Sequence, residues 1–205
     1  IREAVIALEL EGYVEVRMGS GVYIIESNKR KSRFSDKDVG PFELTEARAL
    51  FEGEAAALAA TMITDEQLAQ LAQTLDEMAS ENKRDLDSHE AADKRFHMII
   101  ATATNNSAIS TVIEGLWDER DSSALTKRMY QTVRESGVKP SVDEHRAIYE
   151  ALKSRDAKAA RTLMREHLMR VIDGILQATE VEAVEAARKQ VIKSRERLSK
   201  TRGLI

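Results

Sequence analysis

Apolar residues recur every three or four positions along most of the chain, which is the spacing of a buried helix face. From residue 41 onward this period predicts six helices with mostly short connections, and therefore a mainly α, antiparallel bundle. The predicted helices are 42–62, one opened by the Thr64–Gln67 capping box, about 85–103, Ser107 (as N-cap) to about Tyr130, one opened by the Ser141–Glu144 capping box, and 155 to about 178. The predicted inward stripes of the first two helices are Leu44, Ala47, Phe51, Ala55, Leu58 and Met62, and then Leu68, Leu71, Leu75 and Met78.

The first 27 residues follow a different pattern. A helical period over residues 1–11 stops at Gly12, residues 13–17 alternate, and a glycine-containing turn leads into the apolar run 22–25. That order predicts a helix followed by a β-hairpin, as at the C-terminal end of a winged helix-turn-helix. Because residues 28–40 have no period, we divide the chain into a partial winged domain (1–27), a linker (28–40), a helical domain (41–178) and a charged helical tail (179–205).

The tail is highly charged and rich in helix-forming residues. This pattern favours a solvated helical extension. A contact between two subunits through Val184, Val191 and Leu198 is the alternative interpretation.

The amino-acid composition excludes several kinds of function and of binding site. Of the 205 residues 32% are charged and 4% aromatic, and the net charge is −4, so the whole chain is not a generic polyanion binder. The absence of cysteine excludes disulfides and thiolate ligands. No apolar run approaches the ~18 residues of a membrane span and no signal peptide is recognisable, so we expect a cytoplasmic protein without a membrane partner. The chain opens at Ile1 inside a predicted helix, and we expect the natural protein to begin further upstream.

Four polar side chains fall on the apolar stripes of three predicted helices: Asp93 and His97 on one, His145 on another and His167 on a third. A buried imidazole costs free energy unless it finds a partner, and a lone one usually bonds to a backbone carbonyl. Three imidazoles beside a carboxylate favour one shared partner, a divalent metal, with zinc first and nickel or manganese as alternatives. The fourth histidine, His89, lies among acidic residues and is expected to face water.

The opening stretch IREAVIALELEGYVEVRMGSGVYI resembles the end of the winged helix-turn-helix in GntR-type transcription regulators. The rest is similar to the FCD ligand-binding domain of their FadR-like branch, through Glu46 and Arg48, DKRFH followed by IATATNN, EHRAIYEAL and ARTLMREHL. The resemblance covers about residues 1–178, and the metal ligands it implies are Asp93, His97, His145 and His167. The segment GPFELTEARALFE, and the pair Trp117 and Arg120, resemble the hexuronate-responsive members in particular.

Effectors of that branch are commonly small carboxylates, and the resemblance implies that they dock onto the metal; a sugar acid is therefore the predicted effector. Arg48 and Arg120 lie on apolar stripes, and a carboxylate is the anion that an inward guanidinium binds bidentately. An internal salt bridge, to Glu52 or Glu114, is the alternative for either arginine. The predicted effector-binding residues are Arg48, Asn105, Trp117 and Arg120.

Contact with operator DNA is inferred from the partial winged helix. Arg2 occupies a position that resembles a DNA-contacting arginine, and Arg17 with the wing glycines Gly19 and Gly21 would reach the DNA backbone or minor groove. A merely exposed helix residue is the alternative for Arg2. Because the first two helices of such a domain are missing from this sequence, we expect this chain alone to bind DNA poorly.

These inferences predict a ligand-responsive, homodimeric transcription regulator rather than an enzyme, and the family habit indicates a repressor of a sugar-acid operon. Effector binding would disfavour the arrangement of paired winged domains that fits two operator half-sites. The rivals are a metal-dependent hydrolase or lyase, since a three-histidine site can activate water, and a metal sensor. No motif places a separate general base, and four protein ligands would close a zinc site, which favours the regulator.

Overall fold

The computed structural model describes Val5 and residues 14–17, 21–24, 39–83, 91–135 and 140–202. Its contacts divide the chain into two units, Ile1–Lys37 and Asp38–Ile205. Arg2, Gly19, His89, most of the helix predicted over 1–11 and most of the linker predicted over 28–40 lie outside the described residues.

The first unit contains the predicted hairpin. Strand β1 (Val14–Arg17) pairs antiparallel with β2 (Gly21–Ile24), in a register that places Val14 opposite Ile24 and Arg17 opposite Gly21. Gly21 has a φ of 125°, a backbone conformation that favours glycine over residues with a side chain. The glycine at this position therefore matches the conformation with which β2 begins.

The second unit is the predicted helical bundle, with seven helices among its described residues instead of six. Their bounds are α1 Pro41–Met62, α2 Asp65–Lys83, α3 Ala91–Ala103, α4 Ser107–Ser122, α5 Ala124–Glu135, α6 Val142–Lys153 and α7 Ala157–Arg202. Within the described ranges, no helix combines the length and the apolarity that crossing a membrane requires.

The prediction of one helix from Ser107 to Tyr130 is wrong, because the backbone becomes extended at Ser123. The Ser123 hydroxyl accepts a hydrogen bond from the amide of Thr126 and caps the start of α5, a local bond that competes with helix continuation. The predicted N-cap of α4 is wrong by one residue. Asn106, not Ser107, accepts hydrogen bonds from the amides of the first turn, at 3.0 and 3.3 Å.

The two capping boxes differ. At Thr64 and Gln67 both reciprocal bonds form, at 3.0 and 3.2 Å. At the second, the Ser141 hydroxyl accepts from the amide of Glu144, but the Glu144 carboxylate bonds to His167 and Arg170 instead of completing the box.

The last core helix, predicted to end near Ala178, runs without a break into the predicted helical tail. Helix α7 has 46 residues and ends at Arg202. Burial stops at Ala178, but residues 179–202 contain neither glycine nor proline, so nothing in the backbone stops the helix there. The tail is therefore continuous with the core helix.

Helix α1 packs against α3, α4, α5, α6 and α7, and its inward faces are mostly alanine. The predicted stripe is wrong for Phe51, Leu58 and Met62, whose exposed fractions are 50, 38 and 45%. Small residues allow neighbouring helices to approach closely, so burial selects alanines instead of the large side chains. The buried small residues are Ala49, Gly53, Ala55, Ala56, Ala57, Ala59 and Ala60.

The main apolar core joins α1, α2, α3, α6 and α7. The predicted inward residues of α2 all contribute to it, and Leu71 is fully buried. The larger side chains of this apolar core are Ile63, Leu68, Leu71, Leu75, Met78, Phe96, Ile100, Ile148, Leu152, Met164 and Leu168.

Candidate metal centre and its cavity

Asp93, His97, His145 and His167 form one buried cluster, called here the polar centre. One ligand atom from each lies within 4.8 Å of the others. The His145 and His167 ring centroids are 4.4 Å apart, and that of His97 lies 5.5 and 5.4 Å from theirs. Helices α3, α6 and α7 therefore bring the four residues predicted as metal ligands to one place.

Each imidazole of the polar centre makes a hydrogen bond through Nδ1. The acceptors are the backbone carbonyl of Ser141 for His145 (2.8 Å), the carboxylate of Glu144 for His167 (2.8 Å) and the carboxylate of Glu52 for His97. Because a carbonyl and ionised carboxylates only accept, Nδ1 donates in all three rings and Nε2 of a neutral ring keeps its lone pair. This is the arrangement by which outer partners orient histidine ligands of metals.

Three polar atoms of the centre lack a hydrogen-bond partner among the described residues: Oδ1 of Asp93 and Nε2 of His97 and of His145. Oδ1 of Asp93 lies 2.9 Å from Nε2 of His145 and 3.7 Å from Nε2 of His97. Lone pairs this close repel one another unless a metal ion, or a proton on Nε2 of His145, lies between them. Ligands bonded at about 2.1 Å to one ion lie about 3–4 Å apart, so these residues fit a divalent metal.

The electrostatics of the centre depend on its partners as well as on burial. Burial alone would raise the pKa of Asp93, but His145 and His97 lower it well below its usual range. Burial lowers the pKa of His145, but Asp93 outweighs this and raises it. Burial and the other two imidazoles lower the pKa of His167 to about 4, despite its bond to Glu144. The centre thus combines one ionised acid with imidazoles of unequal basicity.

Arg48 and Glu52 form a buried salt bridge next to the polar centre. Nε of Arg48 donates to Oε1 of Glu52 at 2.8 Å, and the side chains are 2 and 3% exposed. Burial would raise the pKa of Glu52, but Arg48 and His97 lower it to about 2. The internal salt bridge considered for Arg48 is therefore present, and Glu52 links Arg48 to His97.

A cavity of about 120 Å³ adjoins the polar centre, several times the ~10–15 Å³ that one water needs. Arg120 lies 3.6 Å from Asp93 and stacks over the rings of Trp117 and Tyr130, at 4.7 and 4.3 Å from their centroids. Four arginines line this cavity, Arg48, Arg120, Arg134 and Arg170, and their guanidinium groups suit a small anionic molecule. The polar lining of the cavity includes Arg48, Asp93, Arg120, Tyr130, Arg134 and His167.

The structure does not bring every predicted effector-binding residue to this cavity. Asn105 is exposed at the turn after α3, with a φ of 51°, and it lies outside the cavity lining. Its left-handed backbone conformation is one that asparagine tolerates, which gives it a structural role at the turn. Trp117 is 1% exposed and lies beneath the guanidinium of Arg48, 3.9 Å away. Of the predicted DNA-contacting residues, Arg17 and Gly21 are opposite each other in the hairpin.

Sequence reasoning missed the outer partners of the centre. The sequence assigns Glu52 only as a possible partner of Arg48, and Glu144 only to a capping box and to the EHRAIYEAL motif. The sequence did hold one signal, the helical spacing of Thr45, Arg48 and Glu52, and the structure buries all three. Arg134 and Tyr130 gave no such signal, because their helix was not predicted as a separate element.

The fold and the polar centre define a class: a helical bundle that follows a β-hairpin and holds a metal-type cluster beside a cavity. A family model for the FCD domain matches residues 43–170. The chain belongs to this family, among transcription regulators of the GntR type.

Two relatives support this family assignment. The chain is 36% identical over 173 residues to the Exu regulon transcriptional regulator of Escherichia coli (strain K12), covering 82% of this chain and 66% of that protein. It is 34% identical over 188 residues to the Uxu operon regulator of Haemophilus influenzae, covering 89% of this chain and 69% of that protein. This chain thus spans just under two thirds of the length of the first relative. Both relatives are transcription regulators by name, not enzymes, in agreement with the prediction.

Solved structures agree on the fold. Streptococcus agalactiae GntR matches with a TM-score of 0.55 at 25% identity, covering 83% of this chain and 78% of that one. The Escherichia coli protein McbR/YncC matches with a TM-score of 0.56 at 21% identity, over 86% and 83% of the two chains, which supports the fold alone.

Proposed function

We propose that this chain is the sensing part of a transcription regulator, in which a divalent metal held by the polar centre helps to bind a small carboxylate. Zinc is the first choice for three imidazoles and a carboxylate, with nickel or manganese as alternatives. The metal, when bound, supplies a Lewis-acidic position for carboxylate oxygens. The observation that carries the proposal is the set of three buried, unpartnered ligand atoms beside a cavity lined by arginines.

Arg48 and Arg134 of the cavity would contact different parts of the bound molecule. Arg48 is held by Glu52 and by the ring of Trp117, so its guanidinium is preorganised and loses little entropy on binding. Arg134 is partly exposed at the cavity lining, where it would meet the far end of a ligand. Two anion-binding groups at different depths suit a molecule with a carboxylate and further polar groups, such as a sugar acid.

The names of the relatives support a sugar acid of the hexuronate type. The regulators matched at 36 and 34% identity are named for the Exu regulon and the Uxu operon. We propose that the natural protein binds operator DNA as a cytoplasmic homodimer, with Arg2, Arg17, Gly19 and Gly21 in its winged domain, and represses its operon until the acid binds. A coupling free energy of about 1–3 kcal/mol between effector and operator is typical of such regulators.

The test combines metal analysis with thermal unfolding of the purified chain. Metal content is measured first, and unfolding is then followed with glucuronate, galacturonate or the corresponding neutral hexoses. A ligand at a hundredfold excess over its Kd stabilises the folded chain by about 2.7 kcal/mol. The acids are expected to raise the unfolding temperature, whereas the neutral sugars leave it unchanged.

Three variants separate the parts of the site. His145→Ala is expected to abolish both metal content and the stabilisation by the acid. Arg134→Gln should weaken acid binding while metal content stays constant. Arg128→Gln, an exposed arginine on the same helix, is the matched control and should change neither.

Two outcomes contradict the proposal. Stabilisation by the acid that survives His145→Ala would detach effector binding from the metal. A full-length protein whose operator affinity responds to metal alone, with no response to any acid, would be a metal sensor.

A further inference from the structure

Beyond the bundle, the last part of α7 presents an apolar stripe that nothing within the described chain covers. The described side chains of residues 179–195, and that of Leu198, are exposed. Val184, Val191 and Leu198 are 45, 53 and 57% exposed and lie seven residues apart. A spacing of seven residues keeps apolar side chains on one side of a helix that pairs with another.

Small residues flank this stripe on the same side of the helix. Ala187 and Ser194 each lie three residues after a valine of the stripe, in the second apolar position of a heptad. Small side chains at that position allow two helix axes to approach closely. The segment of 24 residues is about 36 Å long, which gives just over three heptads of contact.

The charges of the segment are separated along its length. Residues 179–187 contain three glutamates and no basic residue, whereas residues 188–202 contain seven basic residues and one glutamate. A parallel pair would place like charges side by side. An antiparallel pair places the acidic half of each helix against the basic half of the other, which is favourable.

We propose that residues 179–202 are a self-association element, in which two copies of this chain pair their α7 extensions antiparallel along the Val184–Val191–Leu198 stripe. Centred on Val191, this pairing brings Val184 opposite Leu198 of the second copy. It also places the two bundles at opposite ends of the helix pair, so that they do not collide.

The test uses disulfide cross-linking, which is clean because the chain has no cysteine of its own. Val191→Cys is expected to form linked dimers under mild oxidation roughly tenfold faster than Lys189→Cys, because pairing raises the local thiol concentration. Lys189 is also exposed but lies on the other side of the helix. Circular dichroism of each variant verifies that the helices remain folded.

Direction is tested by mixing two variants. Val184→Cys and Leu198→Cys are expected to link to each other readily in a mixture, while each alone links as slowly as Lys189→Cys. Added salt should slow the linking by screening the opposed charges. Two results would overturn the proposal: Val184→Cys linking to itself as fast as Val191→Cys does, which indicates parallel pairing, and Val191→Cys linking no faster than the Lys189→Cys control.

Discussion

The apolar core and the polar centre share three helices but obey different rules. On α3, Phe96 and Ile100 belong to the core, whereas Asp93 and His97 belong to the centre. An apolar side chain needs only to be covered, and the free energy follows the area removed from water. A buried imidazole or carboxylate needs a partner at a fixed distance and angle. The core therefore stabilises the bundle, and the centre costs stability unless a ligand completes it.

The same difference explains why each histidine of the polar centre is held by an oxygen atom that does not belong to the centre. Each of its histidines has an oxygen acceptor at Nδ1, and these acceptors belong to helices α1 and α6 or to the cap of α6. A core leucine has no such dependence on a second residue. Changes in the core should therefore act on unfolding, and changes around the centre on metal binding.

The largest expected effect is in the core. Leu71→Ala should lower the free energy of unfolding by about 2–5 kcal/mol, because Leu71 is fully buried and its removal leaves a cavity. Denaturant unfolding measures this loss. Leu50→Ala, at a position that is 57% exposed, is the control and should change stability by about 0.5 kcal/mol or less. Metal affinity should be the same in both variants, and a loss of metal with Leu71→Ala would show that the two regions are not separable.

Removal of the metal should have the next largest effect. A metal present at about a thousandfold excess over its Kd stabilises the folded state by about 4.1 kcal/mol, and chelation should lower the unfolding temperature accordingly. Calorimetry with and without a chelator measures the difference. In His145→Ala the chelator should have no effect. An unfolding temperature of the original chain that is equally insensitive to chelator would argue against a metal at this site.

Glu52→Gln should affect metal binding through its neighbour. The carboxylate of Glu52 accepts the Nδ1 hydrogen of His97, and loss of such an outer partner typically lowers metal affinity about 10–100-fold. Competition titration with a chelating dye measures the affinity. Glu54→Gln is the matched control, because this glutamate lies on the same helix but pairs with the half-buried Arg161 and Arg165. Equal affinities in the two variants would remove Glu52 from the metal site.

The smallest effect on stability is expected for an exposed ion pair. Lys94 follows Asp93 in sequence, but its ammonium group lies 3.2 and 3.0 Å from two exposed carboxylates, those of Asp118 and Asp121. Exposed ion pairs contribute about 0.2–1 kcal/mol, so Lys94→Gln should lower stability by no more than that. Unfolding in low and high salt measures the change. An effect as large as that of Leu71→Ala would contradict the distinction between buried and exposed polar groups.

The sequence predicted the helices best where local signals mark their ends. The Thr64 capping box acts within four residues, and the structure has it as expected. The same reasoning failed at Ser123, where a single hydroxyl interrupts a pattern that is otherwise helical on both sides. Beyond Ala178 the sequence predicted a helical tail correctly from its helix propensity, but not that the tail continues the core helix without a break.

Of the candidate site, the sequence indicated the residues and the structure decided their surroundings. A histidine four residues after an aspartate on an apolar stripe can be recognised locally, because helix period alone puts both on one face. Nothing local says that Glu52, 45 residues earlier in the chain, accepts a hydrogen bond from His97, or that Asn105 lies in an exposed turn.

The sequence by itself thus determined the helical class, the hairpin and the four polar residues buried on helix stripes, since each depends on neighbours within about one turn. Only the tertiary structure decided which faces of the alanine-rich α1 are covered, which oxygens hold the imidazoles, and where four arginines meet beside the cavity. Those features depend on how helices distant in sequence approach one another, and that approach is set by packing over the whole bundle.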